Sequence, residues 1–379
     1  MTAPVLPDFP WDKLVPYKTR AGQHPGGIVD LSVGTPVDPT PELVRQALAD
    51  ASDAPGYPQT YGTPPLRQAV ADWFARRRNA PGVDPDGVMP TIGSKELVAW
   101  LPLLLGLGAG DVVMHPQVAY PTYDVGARLT GATPLAADGT LQVGPGARAV
   151  KLVWLNSPGN PTGRVLGVEH LKKVVDWARS IGAVVASDEC YAELGWDGVE
   201  VPSILDPRVC GDSHEGLLVV YSTSKQSSLA GYRAAFVAGD PVLVRRILEI
   251  RKHAGMIVPW PVQEALRVAL GDDEHVAQQR ERYRRRRELM RDWLTSEGFK
   301  IDHSEAGLYF WATRDEPCWD TVADLAERGV LVTPGDFYGP TGARHVRVAM
   351  TVSDERVAQL AARAAGPDGS VRSAGGNLR

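Results

Sequence analysis

The chain has 379 residues, 44% of them hydrophobic and 22% charged, with a formal net charge of −5. That length and apolar content can bury a large core, expected to divide between two domains. The acidic balance offers no broad field to draw nucleic acid, and no apolar run approaches the roughly 20 residues of a membrane helix. The N-terminal stretch with Pro4, Pro7, Pro10, Pro16 and Pro25 lacks a basic-then-apolar leader pattern, so a cytoplasmic location is the default expectation. Cys190, Cys210 and Cys318 are scattered without metal-type spacing and read as reduced thiols.

In chain order, residues 1–35 are rich in proline and glycine and read as an arm expected to join the smaller domain. Helical patterns follow over 41–50 and 65–77. Gly93-Ser94-Lys95 then opens an apolar helix to about 105. Short β-like runs at 111–115, 151–155, 183–187, 217–221 and 234–238 alternate with helical stretches such as 171–180. This alternation predicts an α/β fold with a mostly parallel sheet covered by helices on both faces. Helices are expected over 241–253, 262–270 and 273–297. The last carries Arg284-Arg285-Arg286-Arg287 and reads as a solvated basic face.

Strand patterns at 299–303, 308–312, 330–333 and 346–351 around a helix at 319–327 predict a smaller α+β domain. The expected division is a large domain over 36–270, a small one over 271–365, and a disordered Gly/Ser-rich tail over 366–379. There is no internal repeat.

The segment Tyr221-Ser222-Thr223-Ser224-Lys225 ends a strand-like run in two serines and a lysine, and Arg233 follows. A lysine at a strand end can condense with an aldehyde, while neighbouring hydroxyls and a guanidinium suit a phosphate dianion. Lys225 is therefore either a solvated surface lysine or the anchor for pyridoxal phosphate (PLP). In a parallel sheet, ligands gather at the carboxyl ends of strands, so the residues just after each strand bear on the choice.

The run 151–155 leads into Asn156-Ser157-Pro158-Gly159-Asn160-Pro161-Thr162-Gly163, and 183–187 leads into Asp188-Glu189-Cys190-Tyr191. PLP needs a buried carboxylate to hold the proton of its pyridine nitrogen, and Asp188 is either that group or a cap or turn residue. Its phenolic oxygen needs donors, which Asn160 and Tyr191 can supply, although Asn160 could equally shape a turn. Tyr120 either covers the ring face or packs in a turn. Gly93-Ser94-Lys95 at a helix start is a cap or an anion site, and Ser222, Ser224 and Arg233 would complete a phosphate shell.

With these motifs assembled, the chain resembles the aspartate-aminotransferase superfamily, the PLP-dependent fold type I of class I/II aminotransferases. The resemblance runs from about 28 to about 353. It is carried by Gly34 in Ser-Val-Gly-Thr-Pro, Tyr57 and Gly62 before Pro65-Leu66-Arg67, Gly93-Ser94-Lys95, Tyr120, Asn160-Pro161-Thr162-Gly163, Asp188 with Tyr191, Ser222-x-x-Lys225, Arg233 and Arg347. It implies a large domain with a seven-stranded-type sheet, and a homodimer in which Tyr57 reaches the partner subunit's cofactor phosphate. It also implies that Arg347 and Gly34 hold the substrate α-carboxylate.

The stretches around Phe9-Pro10-Trp11-Asp12, Ile28 to Pro39, Ala119 to Tyr123, and Ser224-Lys225-Gln226-Ser227 are most similar to actinobacterial succinyldiaminopimelate transaminases. The expected reaction is exchange of an amino group between glutamate and a keto acid, with Lys225, Asp188 and Tyr191 catalytic. Aminotransferases for aspartate, alanine or aromatic amino acids share the same shell, as do PLP lyases. A regulator fused to a DNA-binding domain would need a further helix-turn-helix segment, which is not expected here. Lys18, Arg20 and Arg251 are possible cations for a distal substrate carboxylate. Thr223 stands where the resemblance leads one to expect leucine or phenylalanine.

Overall fold

Wholly apolar runs and amphipathic stretches alternate along the middle of the chain, and they fold as strands and covering helices. The computed structural model describes residues 6–139 and 142–364, so the 366–379 tail lies outside the described residues. The arm forms Val15–Gly22 (α1) and Val29–Asp30 (β1). Glu42–Asp50 (α2), Pro64–Arg77 (α3), Val88–Ile92 (β2), Gly93–Leu104 (α4), Val112–His115 (β3), Thr122–Thr130 (α5) and Thr133–Ala136 (β4) follow. Next come Val150–Asn156 (β5), Val168–Ile181 (α6), Val184–Asp188 (β6), Pro207–Cys210 (α7), Leu217–Ser222 (β7) and Ala234–Gly239 (β8). The remainder is Pro241–Ala254 (α8), Trp260–Gly271 (α9), Glu274–Ser296 (α10), Lys300–Asp302 (β9), Tyr309–Thr313 (β10), Cys318–Glu327 (α11), Val330–Leu331 (β11), Thr333–Pro334 (β12), Val346–Ala349 (β13) and Asp354–Ala364 (α12).

The main sheet has seven strands in the order β2-β8-β7-β6-β5-β3-β4. Neighbours are parallel except β8, which runs against both β7 and β2. The architecture is therefore the mostly parallel α/β fold expected from the sequence. Every residue of β7 is buried, and its side chains alternate between two cores. Leu217, Val219 and Tyr221 join one with Trp73 and Phe236, while Leu218 and Val220 join the other with Tyr123 and Trp154. Each such side chain stabilises the fold by about 1.5–3 kcal/mol, so the central strands are held rigidly and their ends are fixed in space.

The two edge strands, β2 and β4, escaped the sequence reading, and each contains a proline, Pro90 and Pro134. Proline cannot donate to a ladder and is tolerated where one side is open, which is where both strands lie. Helices α1, α5 and α12 were also not anticipated.

A second, antiparallel sheet has the order β12-β13-β10-β9. Its core includes Phe310, Trp311 and Val348, α11 residues Val322 and Leu325, and the end of α10 at Met290, Trp293 and Leu294. Arm residues Leu14, Ala21, Val29 and Leu31 lie in the same core, and β1 pairs in parallel with β11. The expected single strand over 330–333 is thus split between two ladders at Val332.

The basic run on α10 is not a uniformly solvated face. Arg284 is exposed and pairs with Glu281 at 2.7 Å, but Arg286 and Arg287 are 3% and 5% exposed. Arg286 grips Asp38 at 2.6 Å and Asp354 at 2.6 Å. Arg287 donates to the Ser304 carbonyl at 2.9 Å. Successive helical positions point about 100° apart, so a run of four arginines must cover buried and open faces alike.

Candidate active site

A cleft of about 490 Å³ opens at the carboxyl ends of β5, β6 and β7, facing the second sheet. Lys225, Asp188, Tyr191, Ser94, Lys95, Tyr120, Asn160, Ser222, Ser224, Arg233, Gly34 and Arg347 all line it. Tyr57 does not, and it is 100% exposed. One wall comes from strand ends and loops of the main sheet. The other comes from the arm and the second sheet.

At the floor, β6 ends in Asp188. Its Oδ2 accepts a hydrogen bond from the Tyr123 hydroxyl at 2.9 Å, and its Oδ1 accepts from the Cys190 N–H at 3.1 Å. Burial pushes the carboxyl up, against the bonds from Cys190 and Tyr123 that favour its ionised form. Asp188 has no cationic partner among the described residues. A cation brought beside it would reverse that balance.

The loop after β5 is cross-tied to the same floor. Asn156 Nδ2 donates to the Asp188 carbonyl at 3.0 Å, and its Oδ1 accepts from the Asn160 N–H at 2.7 Å. Asn160 Oδ1 in turn accepts from an Arg347 guanidinium nitrogen at 3.1 Å. Tyr120 lies above the floor, edge-to-face with Tyr123 at 6.0 Å.

The anion end is built around α4. The helix starts at Gly93 with φ +71°, and no side chain caps it, so first-turn N–H groups near Ser94 and Lys95 stay free for an anion. Gly93 N–H donates to the Arg233 carbonyl at 2.8 Å. Its φ of +71° favours glycine, and a Cβ there would also press on the Arg233 guanidinium. Ser222 Oγ and Ser224 Oγ pair at 2.8 Å beside it. Thr223 is fully buried and its hydroxyl donates to the Ala234 carbonyl at 3.1 Å, which replaces apolar packing with a satisfied bond.

Lys225 lies between these ends, and its Nζ donates to the Gly34 carbonyl. A Cβ at Gly34 would meet the Tyr309 hydroxyl at 2.1 Å, which leaves room only for glycine.

Arg347, in β13, is 4% exposed. It donates to the Ser32 carbonyl at 2.6 Å and sits over the Tyr309 ring at 4.2 Å. Its Nε has no partner, and no carboxylate pairs with it among the described residues. A buried guanidinium with only neutral neighbours is suited to receive an acid.

Tyr191 and Tyr309 pair at 3.1 Å between their hydroxyls. Burial raises both phenols. For Tyr309 the Arg347 and Lys225 cations outweigh burial and bring it below the ordinary tyrosine value, whereas Tyr191 stays well above it.

Sequence reasoning missed Asn156, Tyr309, Phe9 and Trp11 as cleft residues, and Tyr123 as the buried partner of Asp188. Asn156 was the one with a signal, since it directly ends a strand. Lys18, Arg20 and Arg251 take other partners. Lys18 pairs with Asp30 at 3.2 Å, Arg20 with Glu327 at 2.5 Å, and buried Arg251 with Glu96 at 2.7 Å. Lys95 and Arg233 are exposed cations lining the cleft, and the Lys95 ammonium lies 5.7 Å from the Phe9 ring.

A doubly covered parallel sheet with a lysine, a buried carboxylate and an anion cradle at its strand ends defines a fold-type-I enzyme that uses pyridoxal phosphate. The chain belongs to the aminotransferase class I and II family, whose profile matches residues 27–363. It is 60% identical over 94% of its length to a protein named a probable aminotransferase from Mycobacterium tuberculosis, covering 85% of that protein. It is 56% identical over 94% of its length to the 4-dedimethylamino-4-oxo-anhydrotetracycline transaminase of Streptomyces rimosus, covering 99% of it. Among solved structures, a probable N-succinyldiaminopimelate aminotransferase from Thermus thermophilus superposes with a TM-score of 0.83 at 30% identity, covering 93% of this chain and 98% of that one.

The residues fit the cofactor. An unpaired buried carboxylate stands at one end of the cleft, a free helix N-terminus with Arg233 at the other, and an amine between them.

Proposed function

We propose that the chain transfers amino groups between glutamate/2-oxoglutarate and N-succinyl-LL-2,6-diaminopimelate/N-succinyl-2-amino-6-oxopimelate, in the cytoplasm, as a step toward lysine and peptidoglycan precursors. The observation that carries an amino-acid substrate is Arg347, buried without a carboxylate in the cleft that Lys225 also lines. The finer substrate is supported by the similarity to the Thermus thermophilus structure.

Bound PLP supplies an electron sink for negative charge developing at the substrate α-carbon. Asp188 would hold the proton of its ring nitrogen, and Asn160 and Tyr191 would donate to its phenolic oxygen. Ser94, Lys95, Ser222, Ser224 and Arg233 would hold its phosphate, with Tyr120 against the ring. The full exposure of Tyr57 supports a place at the partner subunit's phosphate in a homodimer with shared sites. Arg347 and the Gly34 backbone orient the substrate α-carboxylate, which fixes which α-hydrogen faces Lys225. Lys225 would anchor the cofactor, and its free Nζ would carry the proton away from the α-carbon.

A second reading is amination of a ketone on a large polycyclic acceptor, favoured by the 56% identity to the tetracycline-pathway transaminase and by Phe9 and Trp11 at the cleft. The deciding experiment mixes the PLP-loaded enzyme with candidate amino donors and follows conversion of its absorption band to that of the pyridoxamine form. The acceptor panel then ranks keto acids against polycyclic ketones. Conversion by glutamate with selective turnover of the succinylated keto acid supports the first reading. Release of pyruvate without any acceptor would replace it with a lyase.

A further inference from the structure

We infer that a buried hydrogen-bond chain from Tyr221 through Gln226, Ser227 and His275 to Asp272 positions Lys225 for proton transfer, an inference that rests on the transaminase reading above. The Tyr221 hydroxyl donates to Gln226 Oε1. Gln226 Nε2 donates to Ser227 Oγ at 3.1 Å. Ser227 Oγ and His275 Nε2 are 2.7 Å apart, and His275 Nδ1 and Asp272 Oδ2 are 2.6 Å apart.

Direction follows from the ends. The Asp272 carboxylate can only accept, and it also accepts from the His275 backbone N–H at 3.1 Å. Nδ1 of His275 therefore carries a hydrogen, and in the tautomer with hydrogen on Nδ1 alone Nε2 accepts from Ser227. Every donor in the chain then points the same way, which lets each bond polarise the next. Tyr221, Gln226, Ser227 and His275 are all buried, at 0%, 2%, 1% and 6% exposed.

The chain brackets Lys225. Tyr221 lies just before the end of β7, and Gln226 and Ser227 directly follow the lysine. Serine, histidine and aspartate in this order also make hydrolytic nucleophiles. Ser227, however, is 1% exposed and presents no open face to an acyl carbon, which leaves orientation as its role.

His275 belongs to the first turn of α10, and the same helix carries a second tether. Gln279 donates to Asp38 at 2.7 Å, and Arg286 to the same carboxylate at 2.6 Å. Asp38 follows Gly34, whose carbonyl accepts from Lys225. One helix thus holds the lysine turn near its start and the Gly34 segment farther along, and so sets the spacing between proton carrier and carboxylate strap.

The test uses the PLP-loaded enzyme and three variants, Ser227→Ala, His275→Gln and Asp38→Asn. The readouts are the pH midpoint of the cofactor absorption change without substrate, kcat and KM for glutamate, and thermal midpoint. Ser227→Ala should move the absorption midpoint and lower kcat about ten- to a hundredfold, with KM little changed, because small displacements of a reacting group are costly. His275→Gln retains an acceptor for Ser227 and should lose less than tenfold in kcat. Asp38→Asn should raise KM and leave the absorption midpoint in place.

The relay is overturned if Ser227→Ala keeps the wild-type kcat and absorption midpoint, whatever happens to thermal stability. It is equally overturned if Ser227→Ala and Asp38→Asn change the same parameters. Should Ser227→Ala not fold, a His275→Gln enzyme worse than tenfold reduced in kcat counts against the acceptor role. A wild-type protein with no cofactor band would instead remove the transaminase reading.

Discussion

The two walls of the cleft are assembled in different ways. Asp188, Asn160 and Lys225 stand on or just after adjacent strands of one sheet, where ladder bonds and two cores hold them. Opposite them, Arg347 reaches Ser32 across 315 residues of sequence, and Gly34 is held through Asp38 by a helix that begins at Glu274. The first wall is rigid because its positions are consequences of strand pairing. The second depends on a few buried polar ties between distant segments. The contrast suits an enzyme that keeps one molecule for many turnovers and exchanges another at each half-reaction.

Substitutions on the first wall should therefore change chemistry and cofactor spectra, and those on the second should change substrate capture. The largest effect is expected from Lys225→Ala, which should abolish turnover and alter the cofactor absorption band. Retained turnover with an unchanged band would break the assignment of this wall.

On the second wall, Arg347→Lys replaces a two-pronged donor with a point charge. It should cost about 3 kcal/mol, or roughly a hundredfold in kcat/KM for amino acids, with the cofactor band intact. Steady-state kinetics with glutamate measure it, and a shifted band would blur the division between walls.

Asp38→Asn tests the tie behind Gly34 through stability. Burial alone would raise the Asp38 carboxyl, but the bonds from Arg286 and Gln279 outweigh it and hold the group below its ordinary value. A depressed folded-state value stabilises the protein above the unfolded value of about 3.9, and that stabilisation is lost as pH falls through the folded value. The wild type should lose stability below about pH 4 more steeply than the Asn variant. At neutral pH the variant should be less stable by about 3 kcal/mol, since it leaves Arg286 with one carboxylate fewer. Denaturant melts across pH give both numbers.

The smallest effect is expected from Tyr123→Phe, which removes one bond to Asp188 and should cost about 1 kcal/mol, seen as a five- to tenfold fall in kcat with KM unmoved. A change in KM alone would place Tyr123 with the substrate wall instead.

Legibility differed between the walls for the same reason. β5, β6 and β7 announce themselves as apolar runs, and the groups that follow them must emerge at one edge of a parallel sheet. Asp188, Asn160 and Lys225 could therefore be brought together without coordinates. Tyr123 could not, because it lies on α5, which the sequence reading did not resolve, and its partner is 65 residues away. Tyr309 and Trp11 were invisible for a related reason: a side chain's role toward a distant segment has no local periodicity. The arginine run shows the limit sharply. Sequence makes Arg284 to Arg287 equivalent, yet Arg284 meets solvent and Arg286 is buried between Asp38 and Asp354.

Composition and periodicity by themselves determined an α/β chain with a mostly parallel sheet, and motif spacing singled out Lys225, Asp188, Ser222, Ser224 and Arg233, which line one cleft at its strand ends. Only the tertiary structure decided which tyrosines touch that constellation, that Lys18, Arg20 and Arg251 pair with carboxylates elsewhere, and that Ser227 is tied through His275 to Asp272. Strand order and burial follow from local hydrophobic pattern. Contacts between distant polar groups depend on how whole elements dock, and many sequences with the same pattern could dock them otherwise.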